Sequence, residues 1–129
     1  MMHDTLSIAL SNIINAEKIG REFCTAKPFS KLLKDVLTIM HDKGYLGAFE
    51  VIEDGKGKIV KINLLGKINK CGAIKPRFSV RKDEFEKFEK RYLPAKDFGI
   101  LIVSTSKGLM THIDVKEKKM GGKLIAYVY

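Results

Sequence analysis

Phe98-Gly99-Ile100-Leu101-Ile102-Val103-Ser104-Thr105-Ser106-Lys107-Gly108 is the stretch from which the rest of the chain can be ordered. Phe98 to Val103 is continuously apolar, which predicts a strand buried on both faces. The hydroxyl-rich segment Ser104–Gly108 then predicts a turn or loop positioned by that strand. Thr111, with Asp114 three residues on, forms a capping box with Asp in place of Glu and opens a short helix. That helix is expected to end at Gly121-Gly122, and Leu124 to Tyr129 is a terminal strand.

Working back from the apolar run, Asp83 is placed to cap a short helix with Phe85, Phe88 and Tyr92 along one face, ending before Pro94. Arg77 to Arg81 alternates as a short strand, and Gly66 to Lys75 shows no regular pattern. Asp54-Gly55 is a hairpin signal between strands at Tyr45–Glu53 and Lys58–Leu65. Helical spacing of Phe29, Leu32, Leu33, Val36, Leu37 and Met40 predicts a helix from Ser30 to a Gly44 cap. Leu6, Ala9, Leu10, Ile13 and Ile14 predict another from an Asp4 cap to Gly20, followed by a short extended piece stopped by Pro28. The order is α-β-α-β-β, then β-α-β-α-β. This predicts an α+β protein of two small, tightly packed lobes, residues 1–66 and 67–129, the second a mixed sheet with short helices.

The chain has 129 residues, 45% of them hydrophobic, which suits a packed core rather than a disordered tail. It has no apolar run near the ~20 residues that span a bilayer, and its first residues do not read as a signal peptide, so a cytosolic location is expected. Cys24 and Cys71 are expected to be buried, reduced thiols. The net charge is +9, and residues 1–50 contribute nothing to it, with six basic and six acidic side chains. Gly55 to Lys82 holds nine Lys and Arg and no acid, a pattern that points to phosphate as partner.

A-form RNA is read through its shallow groove, its 2′-hydroxyls and its extruded bases, which calls for short donor–acceptor side chains at close range. Ser104, Thr105 and Ser106 have that chemistry, Lys107 adds a charge, and Gly108 lets the backbone turn. Taken alone, the segment reads first as a hydroxyl-rich turn closed on itself by side-chain-to-backbone bonds. Gly121-Gly122-Lys123 has two readings, a helix C-cap or a place where a sugar–phosphate strand approaches. Lys31 at a helix start is either a phosphate contact or a solvated lysine. Tyr127 and Tyr129 share a strand face, and packing is their default role. His3, His41 and His112 have no metal-ligand spacing, and no phosphate-binding glycine loop occurs. His112 and Asp114 would diverge on a helix, against a shared catalytic site. A protein–protein adaptor would leave the acid-free stretch without a purpose.

Gly99 to Thr111 closely resembles the signature of the small-subunit ribosomal protein S-eight family. Gly121 to Tyr129 resembles that family's terminal strand, and Asp4-Thr5-Leu6-Ser7 with Ile13-Ile14-Asn15-Ala16 resembles its first helix. Ser30-Lys31-Leu32 and Lys43-Gly44-Tyr45 fall at the ends of its second, so the resemblance runs from residue 4 to residue 129. Thr5 and Ile14 depart from many bacterial members, which have Pro and Arg there. The basic middle segment and Tyr129 look more like archaeal or eukaryotic members, and the archaeal type is the expectation. The resemblance implies a non-enzymatic, ribosome-bound protein of the cytoplasm that needs no cofactor and is a monomer when free. It implies direct binding to the central domain of small-subunit rRNA, next to other ribosomal proteins. The alternative is a translational repressor acting on its own mRNA. The implied RNA-binding residues are Ser104, Thr105, Ser106, Lys107, Gly108, Gly121, Gly122 and Lys123 in the C-terminal lobe, with Lys31, Asp4, Thr5, Lys75 and Arg77 as further contacts.

Overall fold

A computed structural model describes residues 5–26, 31–53, 55, 57–95 and 98–129. Asp4, Phe29, Ser30, Asp54 and Lys56 lie outside the described residues, as does the side chain of Thr5. The chain divides into two compact units, Met1–Lys70 and Cys71–Tyr129.

The first unit contains α1 (Thr5–Lys18), β1 (Phe23–Ala26), α2 (Lys31–Asp42), β2 (Leu46–Glu53) and β3 (Lys58–Leu64). Leu6, Ala9, Leu10, Ile13 and Ala16 are buried along one stripe of α1, and Leu33, Val36, Leu37 and Met40 along α2. Both helices close with the same pair of bonds. Gly20 N–H donates to Glu17 O and Arg21 N–H to Ala16 O; Gly44 N–H donates to His41 O and Tyr45 N–H to Met40 O. The residue in the middle must turn left-handed, and Gly20 and Gly44 have φ of 73° and 83°. The strands pair in the order β1-β3-β2, all antiparallel, so β3 is central. Its Val60 and Ile62 are fully buried; Lys61 lies on the opposite face, and Lys58, at the exposed start of the strand, meets an acid of β2. Lys58 Nζ lies 3.7 Å from Glu53 Oε1, and Lys61 sits opposite Glu50 in register and over the Phe23 ring. The acid-free stretch of the sequence is therefore partly neutralised in space by the partner strand.

The second unit contains β4 (Cys71–Ala73), β5 (Ser79–Val80), α3 (Phe85–Tyr92), β6 (Ile100–Thr105), β7 (Gly108–Thr111), α4 (His112–Glu117) and β8 (Gly122–Val128). Its strands run β4-β8-β6-β7, with β5 added to the start of β8. Every pairing is antiparallel, so this sheet is not mixed as expected. Two strands were missing from the sequence reading. β4 is three residues in a segment without alternation, and β7 is four residues between a turn and a helix cap. Ile100 to Val103 is buried throughout, but Phe98 is 48% exposed, so the buried strand starts later than its apolar sequence. Leu101, Val103 and Leu124 of the sheet pack with Phe85 and Phe88 of α3 and Val115 of α4. Each such side chain, fully buried, contributes roughly 1.5–3 kcal/mol.

The caps of this unit were partly misread. Thr111 does accept from Asp114 N–H, at 3.3 Å. Asp83 is not the N-cap of α3; Glu84 holds that position and makes no side-chain cap bond. Instead its Oε1 accepts from Arg81 N–H and its own N–H donates to Arg81 O, closing the turn ahead of the helix. Gly121 and Gly122 are not the C-cap of α4. That left-handed position belongs to Lys119, with φ 54°, which closes the helix through Lys119 N–H to Lys116 O and Met120 N–H to Val115 O. A side chain in this conformation costs on the order of 1 kcal/mol relative to glycine.

Candidate nucleic-acid interface

β6 and β7 are joined through a two-residue turn, Ser106-Lys107, closed by the pair Thr105↔Gly108. The Thr105 hydroxyl does the closing: it donates to Gly108 O at 2.8 Å and accepts from Lys107 N–H at 3.1 Å. Gly108, with φ 105°, supplies the conformation that a side chain resists. Ser106 and Lys107 are exposed at the tip, and Ser104 is half-buried at the base. The closed turn and the presented polar tip are thus both present in one hairpin, on different residues.

The tip is held by the strand beside it. Ser104 pairs with Lys123 across β6–β8, and Ser79 pairs with Lys123 on its other side. A Cβ on Gly122 would lie 2.5 Å from Ser104 O and 2.6 Å from Val103 Cγ1. A Cβ on Gly121 would lie 2.7 Å from Val80 O. These glycines allow three strands to close up at the base of the hairpin, a use that neither sequence reading contained. The missing signal was which strands would be neighbours.

Eight of the expected residues, Ser104–Gly108 and Gly121–Lys123, converge on this one corner of the β5–β8–β6–β7 sheet. Lys75 and Arg77 are exposed between β4 and β5, on the side of β8 away from β6. Arg77 and Arg81 both flank β5 rather than belong to it, since that strand is only Ser79–Val80. Lys31 opens α2 in the first unit and is exposed. Thr5 opens α1. Arg81, which the sequence offers with Lys75 and Arg77 as a phosphate contact, lines a concavity beside Gly121 and Lys123 together with Lys82 and Lys119, which it does not single out.

His112 is 2% exposed and has bonds on both sides. Its Nδ1 accepts from Leu101 N–H at 3.0 Å, which leaves the ring proton on Nε2, 3.3 Å from Glu89 Oε1. Glu89 also holds Lys116. This histidine ties α4 to β6 and α3, a packing role. Tyr127 stacks on Tyr92 at 5.6 Å and on Tyr129 at 6.3 Å, against the core rather than open for a ligand. Cys24 and Cys71 are buried and not in a disulfide; burial, with a smaller contribution from Glu17, pushes the Cys24 thiol up to about 11. That thiol is protonated and unreactive at neutral pH. Among the described residues no helix is long and apolar enough to cross a membrane.

The chain is an antiparallel α+β protein that presents an exposed hydroxyl and an exposed lysine at the tip of one hairpin. Residues 4–129 match the family model described as Ribosomal protein S8, and the chain belongs to that family. It is therefore a small-subunit ribosomal protein that binds rRNA, a structural component and not an enzyme, bound in the ribosome with other ribosomal proteins.

Proposed function

We propose that the protein binds directly to the central domain of small-subunit rRNA early in assembly, using the C-terminal unit as its RNA-binding lobe. The observation that carries this is the β6–β7 hairpin. Ser106 and Lys107 stand exposed on a turn that Thr105, Gly108 and Gly122 hold in place, and no acidic residue lies between Phe98 and Ile113. A tip positioned in this way approaches an irregular RNA helix without first having to order itself. Gly121, Gly122 and Lys123 support it, and Lys75 and Arg77 extend the contact to phosphates further along. Lys31, Asp4 and Thr5 give the N-terminal unit a secondary share. The acid-free middle segment and the terminal Tyr129 support an archaeal-type member.

The test is binding to a central-domain rRNA fragment against a plain duplex of equal length, at equal salt. A preference of several hundred-fold, roughly 4 kcal/mol, is expected. Ser106→Ala with Lys107→Gln should weaken binding to the fragment by about tenfold and leave the fold unchanged. Equal affinity for fragment and duplex would reduce the protein to a general phosphate binder and refute the central-domain reading.

A further inference from the structure

Lys119 stands where a glycine would close the same turn without strain, as Gly20 and Gly44 do at the ends of α1 and α2. It is the only non-glycine residue with positive φ among the described residues. Backbone strain of this kind tends to persist where a side chain is wanted at a particular place. Here the place is the concavity between the start of β8 and the turn after β5, lined by Arg81, Lys82, Glu84, Lys119, Gly121 and Lys123. Four cations from two distant parts of the chain meet one carboxylate, and that carboxylate already accepts from Arg81 N–H. The side chains of Lys82, Lys119 and Lys123 find no ion pair or hydrogen bond among the described residues.

We infer that this concavity is a second phosphate seat, in which Lys82, Lys119 and Lys123 hold a backbone phosphate of the same RNA strand that engages the hairpin. The inference rests on the hairpin reading above. The two places are joined through β8: Lys123 pairs with Ser104 at the hairpin base on one side and with Ser79 on the other. Adjacent strands lie about 4.8 Å apart, so the seat is roughly 10 Å from the hairpin, within the reach of neighbouring nucleotides. Each lysine there carries three donors suited to phosphate oxygens.

The test uses the full-length protein and the central-domain rRNA fragment, with Lys82→Gln/Lys119→Gly beside Ser106→Ala/Lys107→Gln. Lys119→Gly removes the charge and the strain together, so the thermal midpoint should hold or rise. The seat variant should bind about tenfold more weakly, with a log–log salt slope shallower by about 0.8, as expected for one lost phosphate contact. Wild-type affinity and slope in the seat variant, while the hairpin variant is weakened, would overturn the seat and leave the hairpin standing. Wild-type behaviour in both variants would overturn the hairpin reading and the seat with it.

Discussion

The β2–β3 hairpin sets Glu53 against Lys58 and Glu50 against Lys61, whereas the β6–β7 hairpin carries Lys107 and a group of hydroxyls with no acid across from them. Both are antiparallel. In the first, charge is settled within the protein, and its apolar residues near the tip, Val51 and Ile52, are 42% and 43% exposed. In the second, one hydroxyl closes the turn, the rest of the tip is open, and a neighbouring strand is pressed against its base through Gly122. Counting charges along the chain treats Lys58, Lys61, Arg81 and Lys82 as one basic run. The structure puts the first two beside acids in one unit and the second two in the other, where two further lysines outnumber the one carboxylate, Glu84. What matters for binding a polyanion is whether a cation's neighbours in space are acids, since only uncompensated charge is left to release counterions.

The sharpest way to break this contrast is at the base of the second hairpin. Gly122→Ala forces a methyl group against Ser104 O and Val103 Cγ1, which backbone in a central strand cannot easily yield. A loss of about 3 kcal/mol in urea unfolding is expected, together with loss of rRNA binding. A stable, binding-competent Gly122→Ala protein would show that the close seam is not needed to hold the tip. A smaller effect is expected at the turn. Thr105→Ala removes both hydroxyl bonds and should cost about 1 kcal/mol, while Thr105→Ser, which keeps the hydroxyl, should retain most of the stability. Equal stability of the two variants would count against the hydroxyl as the turn's clasp. The smallest effect belongs to the first hairpin. Glu53→Gln cuts an ion pair with both side chains more than half exposed, and stability should change by no more than about 0.5 kcal/mol. Its rRNA affinity should be unchanged; a clear gain would mean that Lys58 is a phosphate contact held in check by Glu53.

Much of the fold was legible because it is local. The helical stripes of α1 and α2, the left-handed ends at Gly20 and Gly44, and the Thr111–Asp114 cap depend on residues within one or two turns of each other. β4 and β7 were not legible, since three or four residues carry no period and are strands only because β8 and β6 lie beside them. The Ser104–Gly108 hairpin stood out through its residue types, but the division of labour within it did not. That Thr105 faces inward to close the turn and leaves Ser106 and Lys107 at the tip depends on the backbone path. His112, which drew attention next to Asp114, is occupied by Leu101 and Glu89, partners eleven and twenty-three residues away.

The sequence by itself determined the α+β class, the positions of the helices, the turn that carries the polar tip and, through its signature, the family. Each of these follows from short-range period, turn chemistry or composition, which are present before the chain folds. The tertiary structure alone decided that Gly121 and Gly122 serve strand approach rather than a helix cap, and that Lys119 takes the strained position. It also decided which lysines of the basic run face acids and which do not. Those are properties of residues distant in sequence brought within a few ångströms, and close packing and uncompensated charge exist only between such neighbours.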